Sequence, residues 1–458
     1  MLNIVILAAG FGKRMKSNLP KSMHKISGKP MLSHILDNIR MISPDLVVVV
    51  VGYGAEIIKK KFDNIKNIKF VIQKIQRGTG HALKKTIPII LKNNRLFYSN
   101  SLTLVMYGDV PLVKTNTLYN LLINCKKGIS ILTENIENSK DYGRIIRNSS
   151  GIIKKIIEYK DANNNQKSIK EVSTGILCIS TEILINYINK LTKNNFQKEF
   201  YLTQLIELAS NDNKIINTVK ANYKYETLGI NNRFQNCNAE TIFQKEQTKY
   251  ILKNGTTLLD IRNFFIRGYL SCGKDVIIDS GCIFEGYVYL ADKVHIGPYC
   301  IIKNVKLSDG VKIEAFSNLE NAFINESSKI GPYSRLRFGV KILSKVKIGN
   351  FVEIKNSIIN NNSKLNHLSY IGDASLGKNI NVGACAITCN YDGIKKHRVI
   401  IRNNSFIGSN NQLISPTILG RYTKLGSGTI LSKDTMSYSL IISDYCNITK
   451  YKWKFKRI

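Results

Sequence analysis

This sequence is short of acid. Against 67 lysines and arginines it sets 32 aspartates and glutamates, a formal net charge of +35. Such a balance invites two readings. One is nucleic-acid binding. The other is compositional bias: Lys, Asn and Ile are enriched almost throughout, and no single basic stripe with interleaved aromatics stands out. The spread favours bias and no nucleic-acid partner, and a basic field also suits anionic substrates. Paired cysteines are lacking too. Nine are scattered along the chain with no C-x-x-C. Cys385, Cys389 and His397 lie close in sequence but bring no second ligand pair, which argues against structural zinc. Scattered thiols fit a reducing, cytoplasmic setting. Long apolar runs are missing as well: nothing reaches the ~18 residues that a membrane span needs. Met1–Gly10 is apolar but has no basic n-region, so no targeting segment is expected.

What is present divides the chain. Its 458 residues suggest two or three domains able to bury sizeable cores. The first half alternates strand and helix patterns. Asn3–Leu7 and Leu46–Val51 read as buried strands, Pro30–Met41 has helical spacing, and Phe70–Ile72, Leu102–Met106 and Ile129–Leu132 continue the series. Buried strands separated by helices predict a mostly parallel, Rossmann-like α/β sheet with helices on both faces. Asn232–Leu252 carries no proline and reads as one long helix.

Beyond it, small aliphatics recur every sixth residue. Ile324, Ile330, Leu336, Ile342, Ile348 and Ile354 form one series; Ile401, Ile407, Leu413, Leu419, Leu425 and Leu431 form another. A sustained period of six fits neither a helix nor a hairpin; it predicts a parallel β-helix with three hexads per coil. Asn356–Tyr370 and Thr388–Val399 break the rhythm, and loops leaving a rigid solenoid are where function concentrates. The expected organisation is 1–233 as one domain, 234–254 as a linker helix and 255–458 as the β-helix with a tail.

The chemistry of the first half starts at Leu7-Ala8-Ala9-Gly10-Phe11-Gly12-Lys13-Arg14, where glycines let backbone N–H groups approach phosphate oxygens. Leu19-Pro20-Lys21 follows closely. Further on come Gln73, Gly78-Thr79-Gly80-His81, Tyr107-Gly108-Asp109, Tyr142-Gly143-Arg144, Glu158 and Gly229-Ile230-Asn231. Together these resemble the sugar-nucleotide pyrophosphorylases, and more narrowly the bifunctional N-acetylglucosamine-1-phosphate uridyltransferase/glucosamine-1-phosphate acetyltransferase family, over nearly the whole chain.

The resemblance implies that Leu7, Ala8, Ala9 and Gly10 hold UTP with Arg14 and Lys21, the last two acting in catalysis. Gln73, Gly78 and Thr79 meet the uracil. Tyr107, Gly108, Gly143, Glu158 and Ser173 belong to the sugar-nucleotide site, and Asp109 with Asn231 holds Mg²⁺. Two positions depart from the family: Ser173 stands where it has Asn, and Lys13 where it has Thr. A hydroxyl is shorter than an amide and weakens the expected sugar contact.

In the second half the resemblance makes His367 the general base, a task that suits an imidazole. It places Arg337, Lys355, Tyr370 and Asn381 on the acceptor sugar phosphate, and Ala384, Asn390, Tyr391, Ser409 and Ser427 on acetyl-CoA. Two cations and a phenol make a reasonable phosphate clamp. Glu353, on the same face of its strand as Lys355, is a candidate to orient the amine or the clamp. Departures are Phe338 for Pro, Ser427 for Ala, and Asp444 for an Arg that meets coenzyme A. A carboxylate there repels phosphate, and the cationic tail Lys450–Arg457 is the candidate substitute. His397 reads as solvated.

The implied work is acetyl transfer from acetyl-CoA to glucosamine 1-phosphate, then uridylyl transfer from UTP to N-acetylglucosamine 1-phosphate with release of pyrophosphate. Its product feeds peptidoglycan and lipopolysaccharide, and the family's left-handed β-helices assemble as homotrimers. Two other readings stay open: a single-activity pyrophosphorylase with a regulatory β-helix, and a non-catalytic scaffold built from the same folds.

Overall fold

The computed structural model describes residues 1–93, 100–137 and 142–443. Asp444 and the Lys450–Arg457 tail lie outside the described residues. The chain forms two compact units, Met1–Phe243 and Gln244–Ile458.

The first unit is built on a nine-stranded sheet. Across it run Ile216–Lys220, Ile129–Asn135, Glu171–Ser180, Leu102–Tyr107, Leu2–Ala8, Leu46–Val51 and Ile68–Ile72. All pair in parallel except Glu171–Ser180, which is antiparallel to both neighbours. Gly143–Arg147 and Ile153–Ile157 form an antiparallel side ribbon joined to it.

The unbroken apolar runs follow from burial on both faces. Val5 and Leu7 pack with Val48 and Val50 under Ala82, Leu83, Leu184 and Leu205. Ile4 and Ile6 face the other way, with Val47 and Val49, against Leu32, Ile35, Ile58 and Leu118. Each side therefore has its own helical cover, as the β/α alternation predicted. The carboxyl ends of Leu2–Ala8 and Leu102–Tyr107 lie side by side, Leu7 opposite Tyr107.

The second unit is a parallel β-helix of the left-handed hexapeptide kind, matching the period of six. Three aliphatic columns stack through its core. One runs Ile296, Ile313, Ile330, Ile348, Leu365, Val382, Ile407, Leu425. A second runs Ile302, Leu319, Leu336, Ile354, Ile371. The third runs Leu307, Ile324, Ile342, Ile359, Leu376, Ile401, Leu419.

These columns correct one expectation. Asn356–Tyr370 does not leave the solenoid: Ile359 and Leu365 keep their places in the core, and His367 ends the strand Lys364–His367. The sequence hides this because the step to Ile359 is five residues. The other break, Thr388–Val399, is a true excursion, since one coil is lengthened between Leu376 and Ile401.

The long helix spans Arg233–Lys253, and the boundary between the units falls inside it. Ala239 is buried with Ile26, Met31 and Ile230 in the first unit. In the second unit Gln244 exchanges hydrogen bonds with the Ile266 backbone at 2.6 and 3.0 Å. No helix among the described residues is long and apolar enough to cross a membrane.

Candidate functional sites

Two neighbouring cavities open at the carboxyl edge of the first sheet, where open α/β sheets bind ligands. The first, about 750 Å³, is lined by Leu7, Ala8, Ala9, Gly10, Lys21, Gln73, Gly78, Thr79, Tyr107, Gly108 and Asp109, all of them candidates from the sequence. The second, about 840 Å³, shares Tyr107 and Asp109 and adds Gly143, Glu158, Ser173 and Asn231. Arg14 is exposed on the Lys13–Met15 turn and lines neither.

At the junction the Lys21 ammonium is held by the Asp109 carboxylate and, at 2.8 Å, by the Asn231 amide oxygen. Asp109 stands just past the end of Leu102–Tyr107, and its carbonyl is bonded by the Ile230 N–H at 2.9 Å, which brings Asn231 alongside. The two side-chain oxygens thus converge on one cationic point. A carboxylate and an amide are hard donors, and that pair suits a Mg²⁺ that takes its other ligands from water and substrate phosphates.

In the first cavity, buried Gln73 donates to the Gly78 carbonyl at 3.2 Å and meets His81 Nδ1 at 3.0 Å. Gln76, which the sequence reading missed, ties the loop down through the Ala9 carbonyl at 3.1 Å. In the second cavity, burial raises the Glu158 carboxyl above its ordinary range, while a 3.0 Å hydrogen bond from the Thr203 hydroxyl favours its ionised form. Burial likewise pushes up the Tyr107 phenol, with Glu158 and Asp109 adding to the effect. Ser173 is buried, and its hydroxyl accepts the Gly175 N–H at 3.2 Å. Gly175 has φ +81°, and a Cβ there would lie 2.2 Å from the Tyr107 ring. Only glycine both adopts that backbone and leaves room for the shared wall. Glu199, Thr203 and Gln235 also line these cavities and carried no motif in the sequence.

On the β-helix the candidates gather around one corner. Counting on from the paired Lys364 and Asn381, Val382 and Ile407, and Ile407 and Leu425, residues His367, Ala384, Ser409 and Ser427 fall on successive coils. The ladder bonds Asn410 N–H to Ala384 O (2.7 Å) and Gly428 N–H to Ser409 O (2.8 Å) continue that stack. Asn381 sits on the same sheet, three residues before Ala384. The Ser369 hydroxyl fixes the turn after His367 by bonding its carbonyl at 2.7 Å.

Around the corner, Tyr370 is in register with Glu353, and Lys355 with Gly372. Arg337 pairs with Glu353 at 2.7 Å, which raises its pKa. A Cβ on Gly372 would come within 2.4 Å of the Tyr370 hydroxyl and 2.8 Å of Asn390 Nδ2, so both side chains close over that glycine. Tyr391, next along, is exposed. Two participants were not anticipated. Asp373 accepts from Asn356 and Asn390, each at 2.5 Å. Lys396 stands beside Lys355 and lowers its pKa, with Arg337 adding a smaller effect. His397 is not simply solvated: its Nε2 meets Asp392 at 2.7 Å.

A cleft of two cavities at the carboxyl edge of a doubly covered, mostly parallel sheet, and a hexapeptide β-helix that carries a histidine and, around the corner from it, a cationic cluster, are the features of a two-site transferase. Residues 4–140 match the MobA-like NTP transferase domain family. "Bifunctional protein GlmU" of Bordetella parapertussis is 45% identical over 454 residues, 99% of each chain. The protein of that name from Chromobacterium violaceum is 42% identical, over 99% of this chain and 98% of its own. A solved apo-UDP-glucose pyrophosphorylase aligns with 54% of this chain and all of its own, at TM-score 0.42 and 17% identity. The chain belongs to the bifunctional GlmU family and is an enzyme with nucleotidyltransferase and acyltransferase activities.

Proposed function

We propose that this chain makes UDP-N-acetylglucosamine in two steps at two separate sites. On the β-helix, the amine of glucosamine 1-phosphate attacks the thioester carbon of acetyl-CoA. His367 takes a proton from the amine as the C–N bond forms, the C–S bond breaks, and coenzyme A leaves as the thiol once protonated. Arg337, Lys355, Lys396 and Tyr370 grip the acceptor phosphate, with Asn381 on the sugar. Ala384, Asn390, Tyr391, Ser409 and Ser427 seat acetyl-CoA.

In the first unit, the phosphate of N-acetylglucosamine 1-phosphate attacks the α-phosphorus of UTP in line, and pyrophosphate leaves. Leu7–Gly10 backbone groups, Lys21 and Arg14 hold the phosphates; Gln73, Gly78 and Thr79 hold the uracil; Gly143, Glu158 and Ser173 hold the sugar. Asp109 and Asn231 would hold Mg²⁺, which supplies charge neutralisation at the phosphates. The remaining work is positioning. The observation that carries this reading is the single cationic point shared by Asp109 and Asn231 between the two cavities.

The assembly we infer is a homotrimer in the cytoplasm. Tyr299, Phe316, Tyr333 and Phe351 stack at 5.3, 5.0 and 5.3 Å along one solenoid corner, each about half exposed, and Leu368 beside His367 extends the ridge. Such an apolar edge suits burial by a second copy. Cross-linking at low micromolar concentration should give trimers; a monomer overturns it.

The test of function supplies glucosamine 1-phosphate, acetyl-CoA, UTP and Mg²⁺ and follows free thiol and pyrophosphate together. Both should appear. Pyrophosphate from N-acetylglucosamine 1-phosphate with no thiol would leave only the pyrophosphorylase reading.

A further inference from the structure

The excursion between the two β-helix coils is a self-clamped hairpin. Asp392 Oδ1 accepts the Ile394 N–H at 2.8 Å and the Lys395 N–H at 2.6 Å, and Oδ2 takes His397 Nε2 at 2.7 Å. The His397 N–H returns to the Asn390 carbonyl at 2.9 Å, and the Asp392 N–H reaches the Lys395 carbonyl at 3.2 Å. Tyr391 and Lys396 pair as an antiparallel bridge. The Tyr391 hydroxyl donates to the Gly393 carbonyl at 2.5 Å. The backbone bond from Lys395 and the imidazole hold the Asp392 carboxyl down at about 2, so it is a carboxylate throughout the working range.

The two ends of this hairpin differ. Asn390 is fixed independently of the clamp, through Asp373 and its second partner Asn356. Lys396 makes no ion pair among the described residues and stands beside the Lys355 ammonium, with Arg337 close enough to add its field. Like charges separate unless the backbone holds them. Here the backbone is the hairpin, and the hydrogen bond between the Asp392 and His397 side chains ties one strand of it to the other.

We propose that the Asp392–His397 hydrogen-bonded pair is a positioning clamp: it holds Lys396 beside Lys355 and so completes a three-cation receptor for the acceptor's phosphate. The inference rests on the acetyltransferase reading of this corner. It assigns these two residues to acceptor capture, with no part in the proton transfer or in seating acetyl-CoA.

The test is steady-state thiol release by the full chain carrying His397→Phe, or Asp392→Asn, which keeps the turn's backbone acceptor. Each should raise the KM for glucosamine 1-phosphate roughly three- to tenfold, as loss of one positioned charge does. The kcat, the acetyl-CoA KM and pyrophosphate release should stay within about twofold. Lys396→Met should raise the same KM, and adding His397→Phe to it should change nothing further, because the clamp acts through Lys396. Unchanged acceptor KM, an equal rise in both KM values, or multiplying effects in the double variant overturns the clamp while leaving the acetyltransferase intact. Absence of thiol release from the unaltered chain overturns the site reading and the clamp together.

Discussion

The two units solve the same problem, holding a phosphate-bearing substrate, with opposite architectures. In the α/β unit the candidate ligand-holding groups come from distant points of the sequence. Ala8, Lys21, Gln73, Asp109, Glu158 and Asn231 meet because the strands end at one edge. In the β-helix the groups come from successive coils, and Arg337, Glu353, Lys355 and Tyr370 meet because the coils are in register. The first site depends on the topology of a whole sheet. The second is assembled locally and repeats the spacing of its scaffold. A site of the first kind should fail as a unit, whereas one of the second kind should fail piece by piece.

The sharpest way to break that comparison is to disable each chemistry alone. Asp109→Ala should lower pyrophosphate release by about a hundredfold or more, the scale of losing a preorganised charge contact. Thiol release should be untouched. His367→Ala should do the converse, losing about 10²–10⁴ in thiol release, the usual weight of a general base. If either variant lowers both products in separate assays, each supplied with its own substrates, the sites are coupled and the comparison fails.

A core deletion is the next largest test. Leu336→Ala empties part of the column between Leu319 and Ile354, directly under Arg337. It should cost about 2–5 kcal/mol. In a solenoid each coil contacts only its neighbours, so denaturant unfolding should show the loss in the β-helix transition. Pyrophosphate release should not change. By contrast Gly175→Ala, with its Cβ driven into the Tyr107 ring at positive φ, should cost about 1–3 kcal/mol from backbone strain and crowding. It should also raise the KM for both uridylyl-transfer substrates, because Tyr107 lines both cavities.

These contrasts also explain what the sequence disclosed. The β/α alternation and the period of six are local patterns, so sheet and solenoid were both readable. Asp109, Lys21 and His367 could be nominated because they sit in short motifs. Gln76, Glu199 and Thr203 were not, since nothing local marks them and only the packed sheet brings them to the cavities. Asp373 and Lys396 escaped for a different reason. Asp373's partners Asn356 and Asn390 lie one coil away on either side, at an offset visible only once the register is known, and Lys396 stands in the excursion that lengthens one coil. The misreading of Asn356–Tyr370 as a departure has the same origin: a five-residue step looks like a break in a period of six, yet Ile359 and Leu365 remain in their columns.

The smallest expected effect sharpens the comparison through two glutamates. Glu353 in the β-helix is partly exposed and ion-paired with Arg337, so Glu353→Gln should change stability by no more than about 1 kcal/mol. Glu158 in the α/β unit is different. Burial raises its pKa, and the Thr203 hydrogen bond, with Arg144 behind it, offsets that only in part. The folded state therefore holds the Glu158 proton more tightly than the unfolded chain does. Stability falls as pH rises from the ordinary carboxylate range, about 4.3, through the raised value, and the penalty is then constant. Glu158→Gln removes that penalty. Its melting temperature should exceed the unaltered chain's at pH 8 by a degree or two at most, the scale of ~0.5 kcal/mol in a domain this size. The gap should close as pH falls toward 4. A gap that is flat with pH, or reversed in sign, would show that the Thr203 hydrogen bond outweighs burial and that the sugar-side cavity favours the charged carboxylate even before substrate arrives.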